Sequence, residues 1–219
     1  MYTFTEENYL KAIHHLTDNS GKGVSTNAIA ERLATKPASV TDMLKKLSDK
    51  NLLVYKKYQG VSLTAEGRTV AIRTVRKHRL WEVFLVKKLE FGWEEVHEIA
   101  EQLEHIQSTK LTDKLDEFLA YPKYDPHGDP IPDRNGIFPN RSDQTLTECN
   151  VGETAILKGV KDTDPEFLKY LKKLNLTLGE EISIKEKESY DNSMCVELSD
   201  STELNLSQQV SSNLYITVK

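Results

Sequence analysis

The spacing of apolar and polar positions divides the chain into a helical stretch, a proline-broken stretch and a stretch of period two. Tyr9, Leu10, Ile13 and Leu16 fall on one face of a helix over 6–16, which stops at the breaker Asp18-Asn19-Ser20-Gly21. Ser25 or Thr26 can cap a short second helix holding Ile29, Ala30 and Leu33. Pro37 suits the first turn of a third helix, with Val40, Met43, Leu44 and Leu47 inward. Two short helices with a connection of about four residues predict a helix-turn-helix. Leu52 to Lys57 and Val61 to Leu63 then read as a hairpin turning at Gln59-Gly60, and Thr64-Ala65-Glu66-Gly67 opens another helix. A helix-turn-helix followed by a hairpin predicts a winged helix.

Helical spacing continues from Thr69 to about Leu89, with Val75, Leu80, Phe84 and Leu85 apolar. It resumes in a long helix from Trp93 to about Ser108 and a shorter one from Thr112 to Leu119. Pro122, Pro126, Pro130, Pro132 and Pro139 follow, so this segment is a linker or an ordered loop. From Thr147 the period is two. Ala155-Ile156-Leu157, Ile182-Ser183-Ile184, Cys195-Val196-Glu197-Leu198 and Tyr215-Ile216-Thr217-Val218 predict strands, with one helix near Pro165 to Leu174. That pattern predicts a small β-barrel of about 70 residues. The fold class expected is mainly α with a small β domain, divided near 1–73, 74–140 and 147–219.

Composition narrows the class. Of 219 residues, 38% are hydrophobic and 29% charged, with 10 Gly and 7 Pro, which excludes collagen-like, disordered and membrane-embedded chains. The longest apolar stretch, around Leu80 to Val86, is interrupted by Glu82, and Met1 to Glu7 is acidic where a secretory signal would be basic, so a cytoplasmic protein without membrane partners is expected. Cys149 and Cys195 lack CxxC spacing and read as small buried apolar residues. Charge is split. Residues 1–80 carry fourteen Lys and Arg against seven Asp and Glu, a net +7, and the remainder carries −12. A basic amino-terminal third suits a polyanion.

The candidate chemistry lies in the second helical stretch. Glu101, Glu104 and His105 stand at i, i+3 and i+4, with His97 one turn earlier and the core stripe Val96, Ile99, Ala100, Leu103, Ile106 beside them. His78 and Glu82 make a second i,i+4 pair. Four of the six histidines, His78, His97, His105 and His127, thus have acidic residues at ligand spacing. Carboxylate plus imidazole is the donor set of Mn(II), Fe(II) or Zn(II).

The chain resembles the metal-dependent repressors that include the diphtheria toxin repressor, the iron-dependent regulators and the manganese transport regulators. The likeness rests on Thr5-Glu6-Glu7-Asn8-Tyr9-Leu10, Leu63-Thr64-Ala65-Glu66-Gly67, Arg76-Lys77-His78-Arg79-Leu80, Val96-His97, Glu104-His105 and Asp129-Pro130-Ile131-Pro132. It extends to a carboxyl-terminal domain like the family's SH3-like (FeoA-like) module. It implies a homodimer whose middle domain binds metal and dimerises, with two metal sites per subunit. Glu104 and His105 match shared ligands. Glu101 stands where the iron branch has Cys and the manganese branch Glu, and Asn8 where relatives have Met or Asp. Lys11 stands where short manganese regulators have a bridging Glu. His78, Glu82 and His97 match the other site, for which Asp162 or Asp164 is the expected carboxyl-terminal donor. Asp125-Pro126-His127-Gly128 resembles a ligand-bearing Cys-Pro-His-Gly segment, with Asp125 in place of the Cys.

For DNA, Thr26 and the third-helix residues Lys36, Pro37, Ala38, Ser39, Thr41, Asp42 and Lys45 are the candidates for base edges in a major groove. Lys56, Lys57, Tyr58 and Gln59 form a wing suited to phosphates. The expected function is a metal-activated repressor of metal-homeostasis genes, binding double-stranded operator DNA. Mn(II) is favoured over Fe(II), because a carboxylate at Glu101 hardens the site. Two other readings are a metal-independent winged-helix regulator and a metallohydrolase, the latter leaving the winged helix without a role.

Overall fold

The structure, a computed structural model, describes residues 2–17, 23–56, 60–141 and 143–219. Its contacts form two compact units, one of residues 1–78, 101–113 and 132–137 and one of 79–100, 114–131 and 138–219.

In the first unit, helix α1 (Phe4–Leu16) begins with a capping box in which Thr3 accepts from the Glu6 amide and Glu6 accepts from the Thr3 amide. Ser25 caps α2 (Thr26–Arg32) by accepting from Ala28 N, and Pro37 starts α3 (Pro37–Asp49). Strands β1 (Leu53–Lys56) and β2 (Gly60–Leu63) pair antiparallel, and Val24 bridges to Val61. Gly60 has φ +84°, and a Cβ there would lie 2.6 Å from the Gly23 carbonyl, so both conformation and space demand glycine. Leu10, Ile13, Ile29, Val40, Leu44, Leu47, Leu52 and Val61 close a common core. The wing residues Lys57, Tyr58 and Gln59 lie outside the described residues.

Glu6 does more than cap. Its carboxylate is buried and accepts from Lys50 Nζ at 2.8 and 2.9 Å, with Lys46 Nζ at 3.0 Å. The start of α1 is thereby fastened to the end of α3. Burial alone would raise its pKa, but Lys50, Lys46 and the Thr3 amide outweigh that and hold it at about 2. Such a carboxylate stabilises the fold above its ordinary pKa of 4.5 and loses that contribution as pH falls toward 2. Glu6→Gln is expected to cost about 2 kcal/mol at neutral pH, the exposed lysines tempering the full penalty of a broken buried pair. Urea unfolding of both proteins at pH 7 and pH 3 checks this: the difference should shrink in acid.

Helix α4 (Ala65–Leu89) runs on from the wing, with Thr64 Oγ1 accepting from Gly67 N. The long helix expected over 93–108 is divided. Helix α5 covers only Val96–Leu103, and α6 covers Thr109–Phe118. Before α5, residues 93–95 form a turn in which Gly92 N donates to Glu95 Oε2. After it, Ile106 N reaches Leu103 O at 3.2 Å, and Glu104 and His105 lie in the turn with buried side chains. Ser108 then opens α6, its Oγ accepting from Leu111 N, so it begins a helix where the sequence pattern ends one.

In the second unit, Leu80, Val83, Leu115, Leu119 and Ile131 form a small core. The proline-rich segment is ordered here: Arg79 donates to the Pro130 carbonyl and reaches Asp129 at 3.2 Å, and Arg141 holds Asp129 from another side at 2.5 Å. The period-two region forms an antiparallel sheet, ordered β6-β5-β4-β3-β7. Its members are β3 (Thr154–Val160), β4 (Glu181–Lys187), β5 (Met194–Leu198), β6 (Glu203–Leu206) and β7 (Leu214–Val218), with helices α7 (Pro165–Lys173) and α8 (Gln208–Ser211). Register shifts at Leu157/Gly159 and Ile184/Glu186 mark bulges, which bend the sheet around Leu157, Leu168, Leu171, Ile182, Val196 and Ile216. Cys149 is buried, whereas Cys195 is half-buried. No helix among the described residues is long and apolar enough to cross a membrane.

Candidate metal centres and nucleic-acid face

Within the first unit, α1, α4 and the turn after α5 converge on one buried group of donors. His78 Nδ1 lies 2.6 Å from Glu104 Oε2. His105 Nδ1 lies 2.7 Å from Glu7 Oε2, and its Nε2 stands 3.7 Å from Glu104 Oε1. A histidine that donates one nitrogen to a carboxylate has its other nitrogen oriented as a ligand. Phe4 stacks on the imidazole with ring centroids 4.7 Å apart. Glu7 also accepts from Gln107 Nε2 at 2.8 Å and lies 3.5 Å from Lys77 Nζ. Lys11 Nζ donates to Glu101 at 2.6 Å and to both Glu104 oxygens at 2.7 and 2.8 Å.

Of the residues expected here, Asn8, Glu101, Glu104 and His105 belong to this unit, and His78, expected with Glu82, also contacts Glu104. Glu7, not anticipated, orients His105. Asn8 Oδ1 is buried with no hydrogen-bond partner among the described residues, an acceptor left available to a cation. Imidazole, carboxylate and amide donors on these elements fit a hard to borderline divalent ion.

A second group lies in the other unit. Glu82, Asp125 and His127 are buried, and one donor atom of each lies within 4.8 Å of the others. His127 Nδ1 is 3.8 Å and His97 Nδ1 3.6 Å from Glu82 Oε1, the His97 side chain being half exposed. His127 Nε2 lies 2.8 Å from the Trp93 carbonyl, so Nε2–H donates there and Nδ1 faces Glu82. Burial opposes a charged His127, but Glu82 and Asp125 prevail and raise it to about 9. Burial, with Glu82 and Asp129 adding to it, pushes Asp125 up to about 7. Asp125 Oδ1 accepts from the His127 and Asp129 amides, and Arg79 Nε stands 3.4 Å from Oδ2. Val160 N donates to the His127 carbonyl at 2.9 Å, and a Cβ on Gly128 would meet the Lys158 carbonyl at 2.2 Å. The loop is thus pressed onto β3.

Asp162 and Asp164, the expected carboxyl-terminal donors, are part of a loop at the start of α7. Both are exposed and hold their own loop: Asp162 Oδ1 accepts from Asp164 N, and Asp164 Oδ1 accepts from Glu166 N and caps α7. The carboxylate beside Glu82 comes from Asp125.

In the winged helix, Lys36, Pro37, Ala38, Ser39, Asp42 and Lys45 are exposed at the start and along the first half of α3. Thr26 and Thr41 are half-buried, Thr41 Oγ1 donating to the Pro37 carbonyl. Asp42 lies 3.7 Å from Lys45, which tempers its negative charge. Lys56, the last residue of β1, is exposed.

A winged helix combined with buried histidine and carboxylate clusters defines a class, DNA-binding regulators that respond to a metal ion. Residues 1–61 match the model of the iron dependent repressor N-terminal DNA binding domain, residues 64–133 that of the iron dependent repressor metal binding and dimerisation domain, and residues 144–218 the FeoA domain. The HTH-type transcriptional regulator MntR of Bacillus subtilis is 34% identical over 121 residues, 55% of this chain and 84% of MntR. The iron-dependent repressor IdeR of Mycobacterium tuberculosis is 36% identical over 128 residues, 58% of this chain and 55% of IdeR. The chain therefore spans about half the length of IdeR, and it covers 16% of a Chlamydia trachomatis protein that it also matches. A solved structure described as a manganese-dependent transcriptional repressor in complex with manganese superposes with a TM-score of 0.85 at 31% identity, covering 98% of this chain and 100% of that one. The chain belongs to the iron-dependent repressor family, whose members are transcriptional regulators and not enzymes.

Proposed function

We propose that this protein is a cytoplasmic, homodimeric, metal-activated repressor that binds operator DNA upstream of metal-homeostasis genes, with Mn(II) favoured over Fe(II). The observation that carries this reading is the convergence of the buried His78, Glu104 and His105 with the partly exposed Glu101, in the unit whose helix α1 also carries the buried Asn8 oxygen. Three parts divide the work: a DNA-binding part near 1–73, a metal-binding and dimerising part near 74–140 and an SH3-like part near 147–219. One ion would be held by Asn8, Glu101, Glu104 and His105 with His78 adjoining, and a second by Glu82, Asp125, His127 and His97. Carboxylates in place of thiolate favour the harder ion. A bound divalent ion supplies positive charge and fixed ligand directions.

This chain's residues do the rest. Glu7 holds His105 in one orientation, and Glu6, its neighbour on α1, holds Lys46 and Lys50 of α3. Ordering at the donors is felt by the recognition helix through that short path, which makes metal and DNA binding reciprocal. The exposed start of α3 supplies base contacts, and Lys56 with Lys57 supplies phosphate contacts. The test is fluorescence anisotropy on a duplex selected by the protein from a random library, with Mn(II), with Fe(II) under reducing conditions and with chelator. Binding that ignores all three conditions would defeat the reading.

The wing adds a prediction. Replacing Lys56 and Lys57 by Gln should weaken selected and random duplexes alike, and reduce the salt slope by about one unit per lysine. Anisotropy titrations across a salt series on both duplexes measure this. A loss confined to the selected duplex would make the wing a base reader.

A further inference from the structure

The donor group of the first unit contains a cation of its own. The Lys11 ammonium meets Glu101 Oε1 at 2.6 Å and Glu104 Oε1 and Oε2 at 2.7 and 2.8 Å, so all its donors are engaged. Its side chain is 12% exposed and that of Glu104 is 0% exposed. Glu104 is further contacted by His78, and the adjacent Glu7 by Lys77, His105 and Gln107. Glu101 is 34% exposed, but two carboxylates that converge on one point repel unless a positive charge lies between them. Here that charge is on α1, the helix that also carries Asn8.

We propose that Lys11 is the resident cation of this centre: in the metal-free chain its ammonium ties α1 to Glu101 and Glu104, and an entering divalent ion must take those carboxylates over from it. The tether stands on the contacts alone, whereas the exchange rests on the metal reading above. Two consequences follow. Metal-free protein keeps α1 docked on the 101–107 segment, and Lys11 lowers affinity for the ion, because a fixed unit charge opposes a divalent charge at the same oxygens. The lysine then sets how much free metal the protein requires.

Lys11→Met keeps most of the stem and removes the charge, and Lys11→Arg keeps the charge. Full-length wild type and both variants are treated with chelator and followed by amide hydrogen exchange, then titrated with Mn(II) alone by calorimetry. In chelator, peptides covering α1 and 101–108 should exchange at least about tenfold faster in Lys11→Met than in wild type or Lys11→Arg, and Mn(II) should restore their protection. Mn(II) should bind Lys11→Met about tenfold or more tighter than the other two. Peptides from β3 to β7 report whether a variant has merely unfolded, in which case Lys11→Arg against wild type decides. Chelated Lys11→Met as protected as wild type, or Mn(II) affinity unchanged or weaker, overturns the proposal, and so does Lys11→Arg behaving like Lys11→Met. If no protein binds Mn(II), the metal reading and the exchange fall together, while the chelated samples still decide the tether.

Discussion

Glu104→Ala and His105→Ala are each expected to remove Mn(II)-stimulated DNA binding, lowering apparent metal affinity by more than about 100-fold, beyond the loss typical of supporting residues, while leaving the proposed dimer intact. Glu104 stands at the centre of the first donor group, where Lys11, His78 and the His105 ring all face its two oxygens. His105 lies in the turn after α5, and Glu7 and the Phe4 ring hold it from α1. Neither side chain belongs to an apolar core cluster, so truncation alters the site before it alters packing. His105→Ala is the cleaner of the two, because Glu104→Ala also leaves the Lys11 ammonium with Glu101 alone. Glu104→Gln keeps the volume and separates the two effects. Anisotropy titrations with Mn(II) and sedimentation of the same samples measure both properties; unchanged metal dependence in both variants would remove this site from the mechanism.

The winged helix was legible because its signals are local. Pro37 at a helix start, Ser25 as a cap and the apolar spacing of α1 and α3 act over one or two turns. The end of α5 was not legible, since the stripe Val96, Ile99, Ala100, Leu103, Ile106 runs on past Leu103 as if the helix continued. The turn goes with partners 93 and 98 residues away, Lys11 for Glu104 and Glu7 for His105. The i, i+3, i+4 spacing named the right side chains while the backbone carrying them differed from the helix expected. Strand β6 escaped because Glu203-Leu204-Asn205-Leu206 offers two apolar residues between polar flanks.

The second site shows the same limit. Spacing joined His78 to Glu82, and it could not show that His78 also meets Glu104. Asp164, expected as a donor, stands just before Pro165 and a helical run, the position of an N-cap, and its side chain caps α7. Asp125 and His127 could be placed beside Glu82 only once the proline-rich segment was seen ordered on Arg79 and β3.

Glu82→Ala and His127→Ala are expected to reduce the metal stoichiometry from two ions per chain to one, whereas Asp162→Ala and Asp164→Ala leave it at two. Asp164→Ala should instead lower the stability of the carboxyl-terminal sheet by about 1 kcal/mol through its lost cap. Protons give the second site a signature. His127, raised to about 9, carries a proton at neutral pH that an entering cation must release, so affinity there falls about tenfold per pH unit as pH drops below 9. Asp125, raised to about 7, adds a smaller release near neutrality. Calorimetry in buffers of different ionisation enthalpy at pH 7 measures the protons displaced and the number of ions bound in one experiment. Truncation near Pro139 sharpens the test, because all four donors precede the cut. It removes Val160 and Gly159, on which the His127 loop rests, so the ion should still bind but more weakly by roughly 10-fold to 100-fold, as when supporting residues are lost. A truncated chain that binds no second ion would return the missing donor to the carboxyl-terminal part, and one that binds it with unchanged affinity would show that β3 lends the loop no support.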